Sequence, residues 1–347
     1  MPAMASLAPN PMEAALAEMT LDEVEALAVR RLQEAGAVAA QAGPVARSIR
    51  LAERDGVQSH GLMYLPIYAE HLACGKVDGR AVPHLSQPRP GAVVVDAAHG
   101  FAHPAIDLGL PALIEAARAQ GIAAMTLHRS YNCGILGHHA ERIAEAGLIG
   151  LCFTHAPASI APVGGRVPVI GTNPFALAVP DGAGGVPFVL DQSASVVAKS
   201  EVILRSRKGE ALPEGWALDR EGRPTTDPDA ALRGSMLPSG GAKGFGAGLM
   251  VEVLASALSG AVASRDASPF SGPDGGPPAT GQCFIAIDPA AFAPDFATRI
   301  LALAQAIEAQ EGARLPGARR KAARSRTARA GVTVDDALAG RIGLQQN

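Results

Sequence analysis

The chain has 347 residues, a formal net charge of -3 at neutral pH and a hydrophobic content of 48%. This composition predicts a folded globular protein, while the near-zero charge and an aromatic content of 4% argue against nucleic-acid binding. The four cysteines stand far apart and show no metal-binding spacing, so we expect reduced thiols in a cytoplasmic protein and no metal site.

The first elements in chain order are predicted to be helical. Residues 1–16 are expected to form a flexible tail without the features of a secretory signal. Thr20 followed by Glu23 is a capping-box pattern, and the helix that it begins is expected to end at Gly36. A second helical pattern covers about residues 38–54.

From residue 91 onward, short apolar runs alternate with helical stretches. The runs that predict strands are 92–97, 121–127, 148–154, 175–180, 187–191 and 283–288. The stretches that predict helices are 111–121, 138–150 and, as a buried helix, 245–261. The class is therefore α/β, although strict alternation of strand and helix fails after residue 180.

Four parts are expected along the chain. They are a flexible tail at 1–16, an N-terminal helical part at 17–90, a central α/β part at 91–262 and a C-terminal part at 263–347 that packs back on the unit. The Gly/Pro-rich stretch 267–282 is long enough for a lid or a subunit contact. The basic run 314–329 is expected to be solvated surface, and no stretch predicts a membrane span.

The stretch RDGVQSHGLMYLPIY, residues 54–68, is the first candidate for chemistry. It sets Ser59 and His60 in a Gly-flanked turn and repeats tyrosines at Tyr64 and Tyr68. An imidazole and two phenols there suit a small polar substrate. The alternative is a helix start with a capping or core histidine.

A second candidate is PSGGAKGFGAG, residues 238–248. Its glycines and Lys243 at a helix entry suit a phosphate, because bare amides, a helix N-terminus and an ammonium group all attract an anion. It lacks the Walker A spacing, and no G-x-G-x-x-G fingerprint follows a first strand. The alternative is a flexible loop before a helix.

Two further turns follow apolar runs. In residues 168–180 an Asn-Pro pair makes a rigid turn, with the Asn173 amide free to point at a ligand, or it is a plain turn. Asp191 ends a strand and is followed by Ser193, which suits a ribose or a catalytic histidine, or an N-cap.

The segment HRSYNCGILGHHAER, residues 128–142, is polar for a strand-to-helix junction, a common place for a substrate crevice in α/β folds. His138 and His139 point about 100° apart on a helix, so we expect surface residues and not a shared metal. Cys133 has no evident oxyanion loop beside it, and a buried free thiol is favoured over a nucleophile.

Taken together, six stretches resemble the malate/L-lactate dehydrogenase family, which also contains sulfolactate and ureidoglycolate dehydrogenases and Δ1-piperideine-2-carboxylate and Δ1-pyrroline-2-carboxylate reductases. These stretches are residues 55–83, 130–165, 171–180, 191–202, 212–228 and 237–254. The resemblance implies a non-Rossmann, sulfolactate/malate dehydrogenase-like fold with a mixed sheet and an N-terminal helical part. It also implies NADH or NADPH as cofactor, a small carboxylate substrate and a homodimer.

The resemblance also implies roles for particular residues. His60 lines the active site and Tyr68 lies beside the substrate. The cofactor-binding positions that it implies are His155, Gly171, Thr172, Asn173, Asp191, Gln192, Ser193, Gly241, Lys243 and Gly244.

At two positions the chain departs from the family pattern. Tyr64 replaces the arginine of S-H-G-x-x-R-L-P, which clamps a substrate carboxylate, and Asn132 replaces the histidine of S-x-H-F-G, which moves a proton. Tyr64, Tyr131 and Asn132 are therefore expected to orient the substrate by hydrogen bonds. His60 is expected to be the donor that polarises the reacting oxygen or nitrogen, since an imidazole changes charge near neutral pH. We expect a reductase of a small 2-oxo acid or cyclic 2-imino acid, and the alternative is a non-catalytic dinucleotide- or metabolite-binding descendant.

Overall fold

The computed structural model describes residues 17–344, so the expected tail at 1–16 lies outside the described residues. Its centre is a mixed seven-stranded sheet. Across the sheet the strands are β2 (His84–Arg89), β3 (Ala92–Asp96), β4 (Ile122–Ser130), β11 (Thr280–Ile287), β5 (Ile149–Thr154), β6 (Phe175–Ala178) and β7 (Val189–Gln192). Only the β3 and β4 pair is parallel, and the late strand β11 pairs antiparallel with both β4 and β5.

Helices cover both faces of this sheet. On one face α4 (Ala102–Gln120) and α5 (Leu136–Glu145) pack against side chains that include Phe284 and Ala286 of β11. On the other, α8 (Ala242–Val251) and a π-helical segment, Glu252–Ala257, pack against Cys283 and its neighbours. The two faces alternate along β11, as the pleat of a strand buried on both sides requires.

The N-terminal part packs beside this layered unit. Its helices are α1 (Leu21–Glu34), α2 (Ala39–Arg54) and α3 (Leu65–Ala73), and β1 (Ala17–Met19) pairs with β12 (Val332–Val334), which α11 (Asp336–Ile342) follows. The predicted capping box is confirmed: the Glu23 amide donates to Thr20 Oγ1 at 3.2 Å, and the Thr20 amide donates to the Glu23 carboxylate at 2.7 Å. Both orphan amides at the start of α1 are thereby satisfied.

A smaller lobe and two C-terminal helices complete the fold. The lobe consists of α6 (Lys199–Lys208), β8 (Ala217–Leu218), β9 (Pro224–Thr225), α7 (Pro228–Arg233) and β10 (Ser235–Met236). The remaining helices are α9 (Phe296–Glu308) and α10 (Ala318–Ala330). Within residues 17–344 no helix has the length and apolar run that crossing a bilayer requires.

The predicted strands and the first two helices are confirmed, but three helix predictions need correction. The helix expected at 111–121 begins at Ala102, because Pro111 lies inside it and does not start it. The helix expected at 138–150 begins at Leu136 and ends at Glu145, and strand β5 follows.

The helix at 245–261 was expected to be buried, and this expectation is wrong. One side of α8 and the π-helical segment packs on the sheet, whereas Leu249, Met250, Val253 and Leu258 are 47%, 45%, 54% and 60% exposed. A helix that is apolar all round is expected to be buried on every side. Within this one chain, however, only the side that packs on the sheet is covered. These four residues extend from α8 through the π-helical segment to Leu258, and for brevity we call them the apolar face of α8.

Candidate active site

The Ser59 and His60 pair lies in a 3-10 turn between α2 and α3. The Ser59 hydroxyl and His60 Nδ1 are 3.0 Å apart. The turn is tied to α2 because the buried Glu53 carboxylate accepts a hydrogen bond from the Leu62 amide at 2.7 Å. A Cβ at position 61 would stand 2.1 Å from Glu53 Oε1, so a side chain there would displace the Glu53 carboxylate.

Two tyrosines extend from this turn into an aromatic cluster. The Tyr64 ring lies parallel to the His60 imidazole, with centroids 6.4 Å apart, and meets Tyr68 edge-on at 4.7 Å. Tyr68 in turn contacts Phe101 and Tyr131 at 5.4 and 6.0 Å. The spacing of four between the tyrosines places both phenols on one side of the chain as α3 begins.

Asn132 joins this cluster from the end of β4. Its side-chain oxygen accepts hydrogen bonds from the Gly134 amide at 2.7 Å and the Tyr68 hydroxyl at 3.3 Å, and its Nδ2 donates to the Tyr64 hydroxyl at 3.5 Å. The structure therefore brings together four sequence-predicted residues, His60, Tyr64, Tyr68 and Asn132. Three of them form one hydrogen-bonded unit, which we call the Tyr/Asn cluster: Tyr64, Tyr68 and Asn132.

The Tyr/Asn cluster is uncharged near neutral pH. Burial raises the pKa of Tyr64 to about 12, against a weaker opposing effect of its bond to Asn132. Burial also raises the pKa of Tyr68 well above its usual value. The pKa of His60 is lowered, first by burial, although the nearby Asp191 carboxylate opposes this shift. A neutral imidazole therefore faces neutral hydroxyl and amide groups.

Asp191 lies at the end of β7, where the sequence predicted a strand end. Its Oδ2 accepts hydrogen bonds from the Gly137 amide in the first turn of α5 at 2.9 Å and from Arg320 Nη2 of α10 at 2.8 Å. Its charge acts on His60. Asp191 is thus close enough to influence His60, and it begins one of the segments that the resemblance assigns to a dinucleotide.

Those segments lie side by side. The Ala194 amide donates to the Thr172 carbonyl at 2.8 Å, and the Ser239 amide donates to the Ala194 carbonyl at 2.8 Å. The 171–174 turn, the stretch after Asp191 and the glycine loop therefore form one continuous backbone surface. Gln192 at its edge is exposed, and the Ser193 hydroxyl lies 3.0 Å from that of Ser195.

The glycine loop leads directly into the first turn of α8. Gly241 has φ 65° and ψ -125°, a conformation that favours glycine, and Lys243 is exposed in that first turn. A Cβ at position 244 would stand 2.0 Å from the Ser239 carbonyl oxygen, so Gly244 is required for the loop to close against the helix. Helix amides, an exposed ammonium and bare backbone fit the phosphates of a dinucleotide.

His155 and Asn173 are placed differently. Asn173 Nδ2 donates to the Gly248 carbonyl and to the Glu252 carboxylate, both at 2.9 Å, so the expectation of a free amide is wrong. The Gly281 amide donates to His155 Nε2 at 2.9 Å, and His155 Nδ1 lies 3.2 Å from the Ser264 hydroxyl, which bonds to Glu252. Burial lowers the pKa of His155 to about 4. This buried network fastens α8 beneath the glycine loop, and its contribution to cofactor binding stays a prediction.

A buried ionic cluster behind His60 was missed by the sequence reasoning. The fully buried Asp55 carboxylate accepts from His138 Nε2 at 3.0 Å and from the guanidinium of Arg324 at 2.8 and 2.9 Å, and Arg324 also binds Glu141. These partners hold the pKa of Asp55 far below its usual range despite its burial. No local signal could reveal this cluster, because its members come from three distant segments.

Two expectations are therefore corrected. His138 and His139 are 6% and 5% exposed and are not surface residues. Helix α5 packs against the sheet, His138 Nε2 bonds to the buried Asp55 carboxylate, and His139 Nε2 bonds to the Cys133 carbonyl. The basic run is not merely solvated surface, since Arg320 and Arg324 on one side of α10 bind buried or half-buried carboxylates. The expected buried thiol at Cys133 is confirmed, and burial raises its pKa to about 12.

The Gly/Pro-rich loop lies over the other side of the Tyr/Asn cluster. The buried Lys76 ammonium donates to the carbonyls of Pro269 and Gly272 at 2.7 and 3.0 Å. Phe270 meets the Tyr131 ring edge-on at 5.3 Å. The loop is thereby fixed to the N-terminal part beside Tyr131, and its expected role as a lid or a subunit contact stays a prediction.

A sequence profile described as malate/L-lactate dehydrogenase matches residues 19–342. The chain is 46% identical over 307 residues to a (2R)-3-sulfolactate dehydrogenase (NADP(+)) of Chromohalobacter salexigens, covering 88% of this chain and 91% of that protein. It is 44% identical over 324 residues to a Delta(1)-pyrroline-2-carboxylate reductase of Ancylobacter novellus, covering 92% and 95%.

Solved structures share the fold. The delta1-piperideine-2-carboxylate reductase from Pseudomonas syringae pvar. tomato superposes with a TM-score of 0.88 at 35% identity, covering 94% of this chain and 98% of that one. The sulfolactate dehydrogenase from Methanocaldococcus jannaschii gives 0.84 at 27% identity, covering 94% and 95%. The expected non-Rossmann, mixed-sheet fold is confirmed.

Proposed function

The chain belongs to the malate/L-lactate dehydrogenase family of NAD(P)-dependent oxidoreductases, and we propose that it reduces a small cyclic 2-imino acid. A nicotinamide dinucleotide, when bound, supplies the hydride for this reduction. The carbon of the C=N bond gains a hydrogen, and the electron pair of the double bond moves to nitrogen. The product is a cyclic 2-amino acid.

The observation that carries this choice is the absence of formal charge in the Tyr/Asn cluster. A protonated cyclic imino acid is a zwitterion with no net charge, so it needs no cation to compensate its burial. Oxaloacetate and sulfopyruvate are dianions, and transferring them into a neutral site costs more free energy. Tyr64 stands where an arginine would compensate that charge.

The proton requirement points the same way. A ketone must receive a proton on oxygen as it is reduced, which calls for an acid with a pKa near the working pH. The Tyr64 phenol, with its pKa raised to about 12, and the Asn132 amide do not supply one, and burial lowers the pKa of His60, which leaves its imidazole mostly neutral. An imine nitrogen arrives already protonated, so hydrogen bonds that orient the ring are sufficient. His60 would then align the substrate as a neutral imidazole.

We propose that the dinucleotide lies along the backbone surface formed by the 171–174 turn, the 191–193 stretch and the glycine loop. The first turn of α8 with Lys243 would hold a phosphate, and Gly244 lets the loop approach closely. Asp191 would face the part of the dinucleotide nearest His60.

The test measures kcat/KM with NADPH and with NADH for Δ1-pyrroline-2-carboxylate, pyruvate, oxaloacetate and sulfopyruvate. We expect the imino acid to exceed each oxo acid by about tenfold or more. Equal or better turnover of an oxo acid contradicts the choice of substrate. Tight dinucleotide binding without turnover of any substrate would instead support the non-catalytic alternative.

Variants at position 64 sharpen this test. Tyr64→Arg restores a cation, and we expect it to raise the turnover of sulfopyruvate relative to the imino acid. Tyr64→Phe removes the hydroxyl but leaves the site uncharged. It should therefore lower kcat/KM for both substrates without favouring the dianion.

We also propose that the protein is a cytoplasmic homodimer in which a second copy covers the apolar face of α8. Four large apolar side chains exposed together support a subunit contact, and the free cysteines suit a reducing compartment. Light scattering should give a dimer mass for the wild type and for Phe292→Glu, which changes another exposed apolar residue, and a monomer mass for Leu258→Glu. A monomeric wild type contradicts the proposal.

A further inference from the structure

Helix α10 is attached to three different segments of the protein through one of its sides. Arg320 binds Asp191 of β7 at 2.8 Å, and Lys321 Nζ donates to the carbonyls of Val186 and Pro187 at 2.7 and 3.0 Å. One turn further on, Arg324 binds Asp55 and Glu141. The helix therefore reaches both the end of β7 and the rear of the His60 turn.

The Arg320 and Asp191 pair is closely fitted. Their side chains are 21% and 12% exposed, so the ion pair is largely shielded from water. A Cβ at position 137 would stand 2.6 Å from Arg320 Nη1 and 2.8 Å from Asp191 Oδ2, so a side chain there would displace at least one member of the pair. The Gly137 amide provides a second donor to the same oxygen at 2.9 Å. Asp191 Oδ2 is thus bound from two elements, which fixes the direction of the carboxylate.

We propose that Arg320 is a positioning residue for the proposed reductase, which fixes the Asp191 carboxylate beside His60 and balances its charge there. Arg320 acts through Asp191 and has no assigned contact with substrate. This inference rests on the proposed function only for its effect on turnover, because the effect on His60 is measurable in the protein alone.

The charge balance around His60 follows from the groups that face it. They are Asp191 from β7, His138 from α5 and Arg320 from α10, together with the neutral Ser59 and Tyr64 of its own turn. Burial lowers the pKa of His60 most, Asp191 raises it, and His138 and Arg320 lower it. Removal of the Arg320 charge should therefore favour the imidazolium form, and removal of the Asp191 charge should disfavour it.

The test follows the titration of His60 by NMR in the full-length protein with 13C-labelled histidine, the signal being assigned with His60→Gln. We expect Arg320→Gln to move the midpoint to higher pH and Asp191→Asn to move it to lower pH. Lys321→Gln is the matched control, because it removes the same charge from the adjacent position of α10 and should leave the midpoint in place. An unchanged midpoint in Arg320→Gln, or an equal change in Lys321→Gln, overturns the proposal.

Two further variants keep the test decisive. If Arg320→Gln does not fold, Asp191→Asn must still lower the midpoint, and an unchanged value there overturns the proposal. Arg320→Lys keeps the positive charge but replaces the guanidinium group. It should keep the midpoint of the His60 titration at the wild-type value.

Kinetics with Δ1-pyrroline-2-carboxylate provide the second readout. We expect Arg320→Gln to lower kcat by up to about 100-fold through a misplaced carboxylate, with the pH profile moved in the same direction as the His60 midpoint. A loss of kcat with an unmoved profile would show a merely structural role. Absence of turnover in the wild type would refute the proposed function, while the NMR titration would still decide the role of Arg320.

Discussion

The Tyr68 hydroxyl donates a 3.3 Å hydrogen bond to the Asn132 side-chain oxygen, although the two residues stand 64 positions apart. The family pattern S-x-H-F-G implies a histidine at the position of Asn132, so we predict that this neutral contact takes the place of a proton relay. The substrate preference should therefore respond to this one position.

Asn132→His should partly convert the enzyme to an oxo-acid reductase. An imidazole can release a proton near neutral pH, whereas an amide cannot, and general acid catalysis is worth about 100-fold or more in favourable geometry. We expect the ratio of pyruvate to Δ1-pyrroline-2-carboxylate turnover to rise by about tenfold. Asn132→Leu is the control, since it breaks the same hydrogen bonds without adding an acid. An equal ratio in both variants would contradict the proton argument.

Two glycines of α8 should differ sharply in their response to alanine. Gly244→Ala would drive a Cβ to 2.0 Å from the Ser239 oxygen, so the glycine loop must shift and dinucleotide affinity should fall. Gly246→Ala meets nothing within 4 Å and should retain affinity, with a gain of about 0.5–1 kcal/mol in unfolding free energy from helix propensity. Titration of NADPH fluorescence and urea unfolding measure both effects. Similar affinities in the two variants would count against the loop as the cofactor site.

The stability of the protein should fall on mild acidification. Burial lowers the pKa of His139 from 6.5 to about 4, so this residue is neutral in the folded state at pH values where the unfolded chain already binds a proton. The stability that depends on neutral His139 is fully present above pH 6.5. As the pH falls toward 4, the free energy of unfolding decreases by at most about 3 kcal/mol.

Urea unfolding at a series of pH values between about 7.5 and 4.5 tests this prediction, because this range covers most of the interval between 6.5 and about 4 over which His139 titrates differently in the two states. His139→Gln removes the titrating group and should reduce the slope of unfolding free energy against pH. Its lower absolute stability is expected from lost packing on Phe284 and does not bear on the slope. Parallel slopes for the variant and the wild type would refute the assignment.

Lys76→Met should loosen the Gly/Pro-rich loop without unfolding the protein. The ammonium is the donor to Pro269 and Gly272, and loss of its charged hydrogen bonds should speed hydrogen exchange across residues 262–279 by about tenfold. Methionine fills a similar volume, so the core around it should survive. Arg89→Met, an exposed change on the edge strand β2, should leave exchange in the loop unaltered. If both variants exchange alike, Lys76 does not anchor the loop.

Local pattern was sufficient for much of the fold. The capping box at Thr20, the apolar runs of the strands and the stop of the first helix at Gly36 each depend on neighbouring residues, and each is confirmed. Pro111 misled the prediction because a proline inside a long helix has the same local appearance as a proline that begins one.

The site could be predicted only where its parts are recognisable motifs. His60, Tyr64, Tyr68 and Asn132 were named from the sequence and do meet. Arg320 could not be found in this way, because its meaning depends on a carboxylate 129 positions away and nothing local separates it from the other arginines of α10. Similarly, the Asn173 amide looked free because its partners lie 75 and 79 positions downstream.

The position of β11 has a consequence for biogenesis. This strand lies between β4 and β5, yet residues 280–287 leave the ribosome long after both neighbours. Until then β4 and β5 each lack the strand that pairs with them in the folded protein, and an unpaired strand edge promotes association with other chains. The sheet can therefore be completed only late in translation. A ribosome that stalls before residue 280 would leave the edges of β4 and β5 unpaired.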